Sequence, residues 1–136
     1  MKILLAEDEP DIQLVTRIAL EDEGHQVIVA DDGETAVARA HAEPFDVVLL
    51  DVMMPRLDGF GACDQLKTDP RTRHIPVIFL TARSQSFDVQ DGLRLGAIGY
   101  IIKPFDVFTL ADEIKTLLER SLESQNQDNP AVTASK

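Results

Sequence analysis

Apolar residues in this chain fall into five short continuous runs separated by stretches with helical spacing. Residues 3–6 (Ile-Leu-Leu-Ala) predict a first strand. Residues 11–23 follow with apolar positions at Ile12, Val15, Ala19 and Leu20, a helical period that Gly24 stops. The β-branched run 26–30 predicts a second strand. Asp32-Gly33-Glu34 reads as a turn and helix entry, with the helix running through Ala42 until Pro44 ends it. Residues 46–50 are the most apolar run and predict a central third strand. The Pro- and Gly-rich segment 53–61 predicts a loop, with Asp58 capping a helix that runs to about Lys67. Pro76 opens a fourth strand over 77–80, a fourth helix is expected over 86–95 up to Gly96, and a fifth strand over 100–102. Asp106 can cap a last helix carrying Val107, Leu110, Ile114, Leu117 and Leu118.

Strands that are apolar throughout, alternating with helices, imply a parallel sheet covered on both faces. With five strands the expectation is an α/β, flavodoxin-like (βα)5 three-layer sandwich with strand order 2-1-3-4-5. Periodicity disappears after Leu122. The domain is therefore expected over 1–122, with 123–136 a disordered tail or linker stub.

In that order strands 1 and 3 are neighbours at the topological switch point, where ligands bind beyond the strands' carboxyl ends. Both strands end in acid: Glu7 and Asp8 after the first, Asp51 after the third. Carboxylates brought that close raise one another's pKa and destabilise the fold unless a cation or proton compensates them. A hard divalent cation such as Mg2+ takes oxygen ligands and keeps positions open to water and phosphate, and so fits. The same rule adds Thr81 after strand 4 and Lys103 after strand 5. An oxygen nucleophile, a metal, a hydroxyl and an ammonium are the parts that phosphoryl transfer requires, and carboxylate attack needs no general base. Asp51 is the best nucleophile, because the Pro and Gly after it let backbone approach the metal.

Composition narrows the partners. A net charge of -11 argues against direct nucleic-acid or anionic-membrane binding and favours a basic or neutral partner. The single cysteine, Cys63, excludes an intramolecular disulfide and sits among apolar neighbours as a small core residue. His25, His41 and His74 are scattered, and Arg71, Arg73 and His74 read as a basic surface loop. No apolar stretch approaches the roughly 18 residues of a membrane span. The chain opens on a strand with no signal peptide, so a cytoplasmic location is expected.

Glu7-Asp8-Glu9-Pro10, then Leu50-Asp51-Val52-Met53-Met54-Pro55 with Asp58-Gly59, then Leu80-Thr81-Ala82, then Lys103-Pro104-Phe105 together resemble the receiver domain of two-component response regulators, chemotaxis-regulator-like in kind. The resemblance implies that Asp51 is the phosphoacceptor for a histidine kinase or histidine phosphotransfer protein. It implies that Asp8, Asp51 and the Met53 backbone carbonyl ligate Mg2+ (with Mn2+ able to substitute), Glu7 acting through water. Thr81 and Lys103 would contact the phosphoryl group, and Thr81 with Tyr100 would form a switch. A downstream protein would read the face of the fourth helix, fifth strand and fifth helix. One departure is Glu7, where many members have Asp. Pro104 stands where the family usually has a cis peptide. Winged-helix members often carry two acids where Ile98 and Gly99 stand, so a monomer or a weak phosphorylation-dependent dimer is expected.

Three function classes compete. The leading one is a phosphotransfer signalling switch that is not an enzyme in the turnover sense. A stand-alone receiver is favoured, with a receiver truncated from a larger regulator as the alternative. An aspartyl-nucleophile phosphatase of the haloacid-dehalogenase type would carry a second Asp where Met53 stands, to protonate the leaving group. A flavin or nucleotide binder needs a Gly- or hydroxyl-rich phosphate loop after the first strand, where this chain has Glu7-Asp8-Glu9-Pro10.

Overall fold

A computed structural model describes residues 1–82 and 89–128. The elements are β1 (Lys2–Ala6), α1 (Pro10–Asp22), β2 (Gln26–Ala30), α2 (Gly33–Ala42), β3 (Val47–Asp51), α3 (Gly59–Thr68), β4 (Val77–Ala82), α4 (Val89–Arg94), β5 (Gly99–Lys103) and α5 (Leu110–Asp128). The strands form one sheet in the order β2-β1-β3-β4-β5, and every pairing is parallel. This is the flavodoxin-like arrangement that the alternation of strand and helix predicts.

Successive residues of each strand face opposite sides, so the sheet divides the core in two. Leu4, Ala6, Val48, Leu50, Val77 and Phe79 pack under Ala36, Val37 and Ala40 of α2 and Ala62, Cys63 and Leu66 of α3. Ile3, Leu5, Val47, Leu49, Ile78 and Leu80 pack under Leu20 of α1 and Leu110 and Ile114 of α5. Phe60 meets Phe79 edge-on at 5.2 Å between ring centroids. Residues 3–6 of β1 and 47–50 of β3 are buried on both faces and carry no polar side chain. That is why their first acids stand at the carboxyl edge of the sheet.

Beyond shifts of one or two residues at element ends, the facing of α1 and both ends of α5 differ from the pattern-based expectation. The inward face of α1 is Ile12, Thr16, Ala19 and Leu20, with Thr16 and Leu20 fully buried, while Val15 is 47% exposed. The helix is rotated so that a threonine takes the central inward position. Residues 107–109 form a turn rather than helix, with Asp106 Oδ1 accepting from the Phe108 amide at 2.8 Å, and α5 starts at Leu110. At its other end α5 continues past Leu122 to Asp128. No Gly or Pro intervenes before Pro130, which disfavours helix for the residue ahead of it. Residues 129–136 of the expected tail lie outside the described residues. So does the start of the fourth helix expected at Ser86.

Candidate functional site at the carboxyl edge of the sheet

The register places the acids. Ala6 pairs with Leu50, so Glu7 and Asp51 are the next residues along two adjacent strands. The side-chain oxygens of Glu7, Asp8 and Asp51 lie within 4.8 Å of one another. Glu7 is fully buried, Asp51 is 2% exposed, and Asp8 faces solvent. From the end of β5, Lys103 Nζ donates to Glu7 Oε1 at 3.0 Å and to Asp51 Oδ2 at 3.2 Å. One ammonium thus serves two buried carboxylates, with a third beside them.

This imbalance shows in the titration of Glu7. Its pKa is pushed up from 4.5 to about 7, first by burial, then by its contact with Asp51, against the lowering effect of Lys103. For Lys103, burial opposes the charged form, yet the hydrogen bond to Glu7 and the charges of Asp51 and Glu7 outweigh it and the pKa rises. A set of three oxygen donors with one compensating cation fits a hard divalent ion, which supplies the positive charge the protein withholds.

Backbone contacts hold the acids in place. Glu7 Oε2 accepts from the Glu9 amide at 3.2 Å, and Gln13 of α1 donates to the Glu7 carbonyl and to Asp31 Oδ1. Asp51 Oδ1 accepts from the Met53 amide at 3.2 Å. The loop that follows returns at once, as Gly59 N donates to Val52 O at 3.0 Å. Gly59 has to be glycine, since a Cβ there would lie 2.4 Å from the Asp51 carbonyl oxygen. Asp58 caps α3, accepting from Gly61 N at 2.8 Å, as its position predicts.

Glu7, Asp8, Asp51, Met53 and Lys103 are therefore together. Thr81 lies in β4 one residue beyond Leu80, the partner of Asp51, and is 3% exposed with its hydroxyl 3.5 Å from the Ala82 carbonyl. Tyr100 lies elsewhere, near the opposite end of β5 and 38% exposed. It borders a groove of about 340 Å3 against Thr109, Glu113 and Leu117. The Lys103–Pro104 peptide is cis. A cavity of about 600 Å3 opens beside the acids, walled by Ile12, Val15, Thr16, Pro104, Phe105 and Val107.

Sequence reasoning missed two features here. The Thr16 hydroxyl is fully buried and without a hydrogen-bond partner among the described residues. Asp32 and Arg56 form an ion pair across the sheet edge, with Arg56 Nε and Nη2 3.0 and 2.5 Å from Asp32 Oδ2. The signal for the pair was faint: an acid before Gly33 and a base in a Pro-Gly loop, 24 residues apart.

Similarity to known proteins gives the family and the fold. Residues 3–115 match the family model described as the response regulator receiver domain. The alkaline phosphatase synthesis transcriptional regulatory protein PhoP of Bacillus subtilis is 41% identical over 120 residues, which are 88% of this chain and 49% of that protein. The probable transcriptional regulator ycf27 of Guillardia theta is 40% identical over 88% of this chain and 46% of its own length. Among solved structures, chemotaxis protein CheY4 of Vibrio cholerae superposes with a TM-score of 0.79 at 31% identity, covering 85% of this chain and 97% of that one. NtrX of Brucella abortus gives 0.81 at 29% identity over 91% of this chain and 28% of that one. The chain belongs to the response regulator receiver domain family of two-component systems. It spans about half the length of the curated relatives it matches. Among the described residues no helix is long and apolar enough to cross a membrane.

Proposed function

We propose that this receiver domain is a phosphorylation-controlled switch whose phosphoacceptor is Asp51. The observation that carries the reading is the clustering of Asp51 with Glu7 and Asp8, their oxygens within 4.8 Å, under a single ammonium from Lys103. In the transfer from a kinase or phosphotransfer protein, an Asp51 carboxylate oxygen attacks phosphorus. The bond from phosphorus to the donor histidine nitrogen breaks, and that nitrogen keeps the electron pair. Asp8, Asp51 and the Met53 carbonyl would hold Mg2+, with Glu7 acting through water. The ion would gather the attacking and transferred oxygens and offset their charge. Lys103 and Thr81 would contact phosphoryl oxygens, a point charge and a hydroxyl donor respectively. Met53 stands where an external phosphatase would need a proton donor, which favours a protein that accepts and loses its own phosphoryl group over one that turns over substrates.

For the output, Thr81 drawn toward the phosphoryl group would leave room for Tyr100 on the neighbouring strand. A protein reading the α4, β5 and α5 face would then bind one state better, and its differential affinity would set the shift in population.

The test is intact-mass analysis after incubation with acetyl phosphate and Mg2+. We expect one hydroxylamine-labile phosphoryl group on the wild type and on Asp58→Ala, whose site is a helix cap, and none on Asp51→Ala. An acid-stable, hydroxylamine-resistant label would overturn the acyl-phosphate assignment. Steady turnover of phosphomonoesters would favour an enzyme.

A second reading concerns context. Relatives named as transcriptional regulators are about twice the length that this chain covers, which favours a receiver acting as the regulatory half of such a protein. The size of the product detected in its own cells by an antibody against this domain distinguishes that from a stand-alone switch.

A further inference from the structure

The loop between β3 and α3 contains an unusual backbone. Arg56 has φ +65, and the Leu57 amide donates to the Pro55 carbonyl at 2.7 Å, closing a γ-turn around it. A positive φ at a residue other than glycine is strained and persists only where surrounding contacts over-determine it. Those contacts are present. Both nitrogens of the Arg56 fork reach Asp32 Oδ2, and the other oxygen of Asp32 caps α2 by accepting from Thr35 N at 2.7 Å. The Asp32 side chain is 4% exposed, so the pair is anchored on a nearly buried carboxylate. Beside it, a Cβ on Gly33 would lie 2.0 Å from the Leu57 carbonyl oxygen. The loop therefore lies flush on the first turn of α2.

This loop runs from the phosphoacceptor to α3. Its first amides are tied at the Asp51 side of the candidate site: Val52 N is held by Leu80 O, and Met53 N binds Asp51 Oδ1. We propose that the Asp32–Arg56 pair is a clamp that positions this loop, and with it the Met53 carbonyl and the Asp51 carboxylate, for a divalent cation. The proposal rests on the metal site put forward under Proposed function. Asp32 and Arg56 are positioning residues: they touch neither the cation nor the phosphoryl group, and act by holding strained backbone in one conformation. The outermost strand of the sheet and α2 are thereby coupled mechanically to the reacting edge.

The test titrates the full chain with Mg2+, following the amide NMR shifts of Asp51 and Met53, and records the metal-free melting midpoint of each variant. Arg56→Gly removes the guanidinium but accepts the positive φ without strain. Asp32→Asn retains the oxygen that caps α2 but removes the charge. Arg56→Lys keeps a cation without the fork. We expect Arg56→Gly and Asp32→Asn to bind Mg2+ about tenfold more weakly, in the range for contacts that orient a metal's ligands. Metal-free midpoints should fall modestly with loss of the Asp32 ion pair while both variants stay folded, with the Met53 amide displaced before any metal is added, and Arg56→Lys should recover part of the affinity. Wild-type Mg2+ affinity in both Arg56→Gly and Asp32→Asn, with the Met53 amide in place, would overturn the clamp and reduce the pair to a fold-stabilising contact. Absence of Mg2+ binding in the wild type would instead overturn the metal site, and the clamp with it.

Discussion

Two acid–base pairings at one edge of the sheet are built on opposite plans. At the ends of β1 and β3 a single ammonium, Lys103, faces two buried carboxylates with Asp8 beside them. At the start of α2 one guanidinium, Arg56, faces one carboxylate, Asp32, whose other oxygen is occupied by a backbone amide. The first leaves charge uncompensated, and the pKa of Glu7 rises to about 7 through burial and then through Asp51. The second over-satisfies its acid, and the pKa of Asp32 falls to about 2, through the Thr35 amide first and then Arg56. The contrast separates a cluster short of positive charge, consistent with the proposed cation site, from a pair whose acid is fully satisfied. Buried acids short of positive charge are costly to the fold and are retained where a ligand completes them.

Removing the ammonium should produce the largest effect. Lys103→Met leaves Glu7 and Asp51 buried without a cationic partner, and breaking such a contact typically costs about 3–5 kcal/mol. Urea unfolding at neutral pH should show that loss, with part of it recovered at pH 5, where Glu7 can take up a proton. A loss no greater than that of an ordinary surface substitution would mean that Lys103 does not offset the acids.

Next in size is the pH dependence of the metal-free protein, where the two regions have opposite signs. Glu7 titrates near 7 in the fold against 4.5 ordinarily, so the folded state holds a proton that the unfolded chain has released. Its contribution is complete below 4.5 and is lost as pH rises through 7. Asp32 titrates near 2 against 3.8, so its contribution is present above 3.8 and lost as pH falls toward 2. The urea midpoint of metal-free wild type should therefore decline between pH 4.5 and 7, and Glu7→Gln should flatten that decline. A wild-type midpoint that rises over this window would contradict the charge imbalance.

The smallest effect tests a third arrangement, a buried polar group with no hydrogen-bond partner among the described residues. Thr16→Val replaces the buried, unpaired hydroxyl with a methyl of similar size and should stabilise the chain by about 1 kcal/mol. A comparable destabilisation would show that the hydroxyl is satisfied in solution, by water entering the cavity that Thr16 borders.

Sequence alone determined the strands, their order and the acids at their ends. The reason is local: an apolar run buried on both faces ends where its first acid reaches the carboxyl edge of the sheet, as at Glu7 just past β1 and Asp51 at the end of β3. Asp58 was equally legible, because a cap depends on an amide only three residues away, here Gly61. Tertiary structure alone decided which way α1 is turned. Val15 and Thr16 are both compatible with a helical period, and only packing against the sheet puts the threonine inside. It also decided that Arg56 pairs with Asp32, since each is an ordinary loop residue in sequence. The close approach of the β3–α3 loop to α2 is set by the parallel order of the strands and the absence of a side chain at Gly33. Hydrophobic patterning acts over one turn or one strand, whereas a charge finds its partner wherever the finished fold brings the two together.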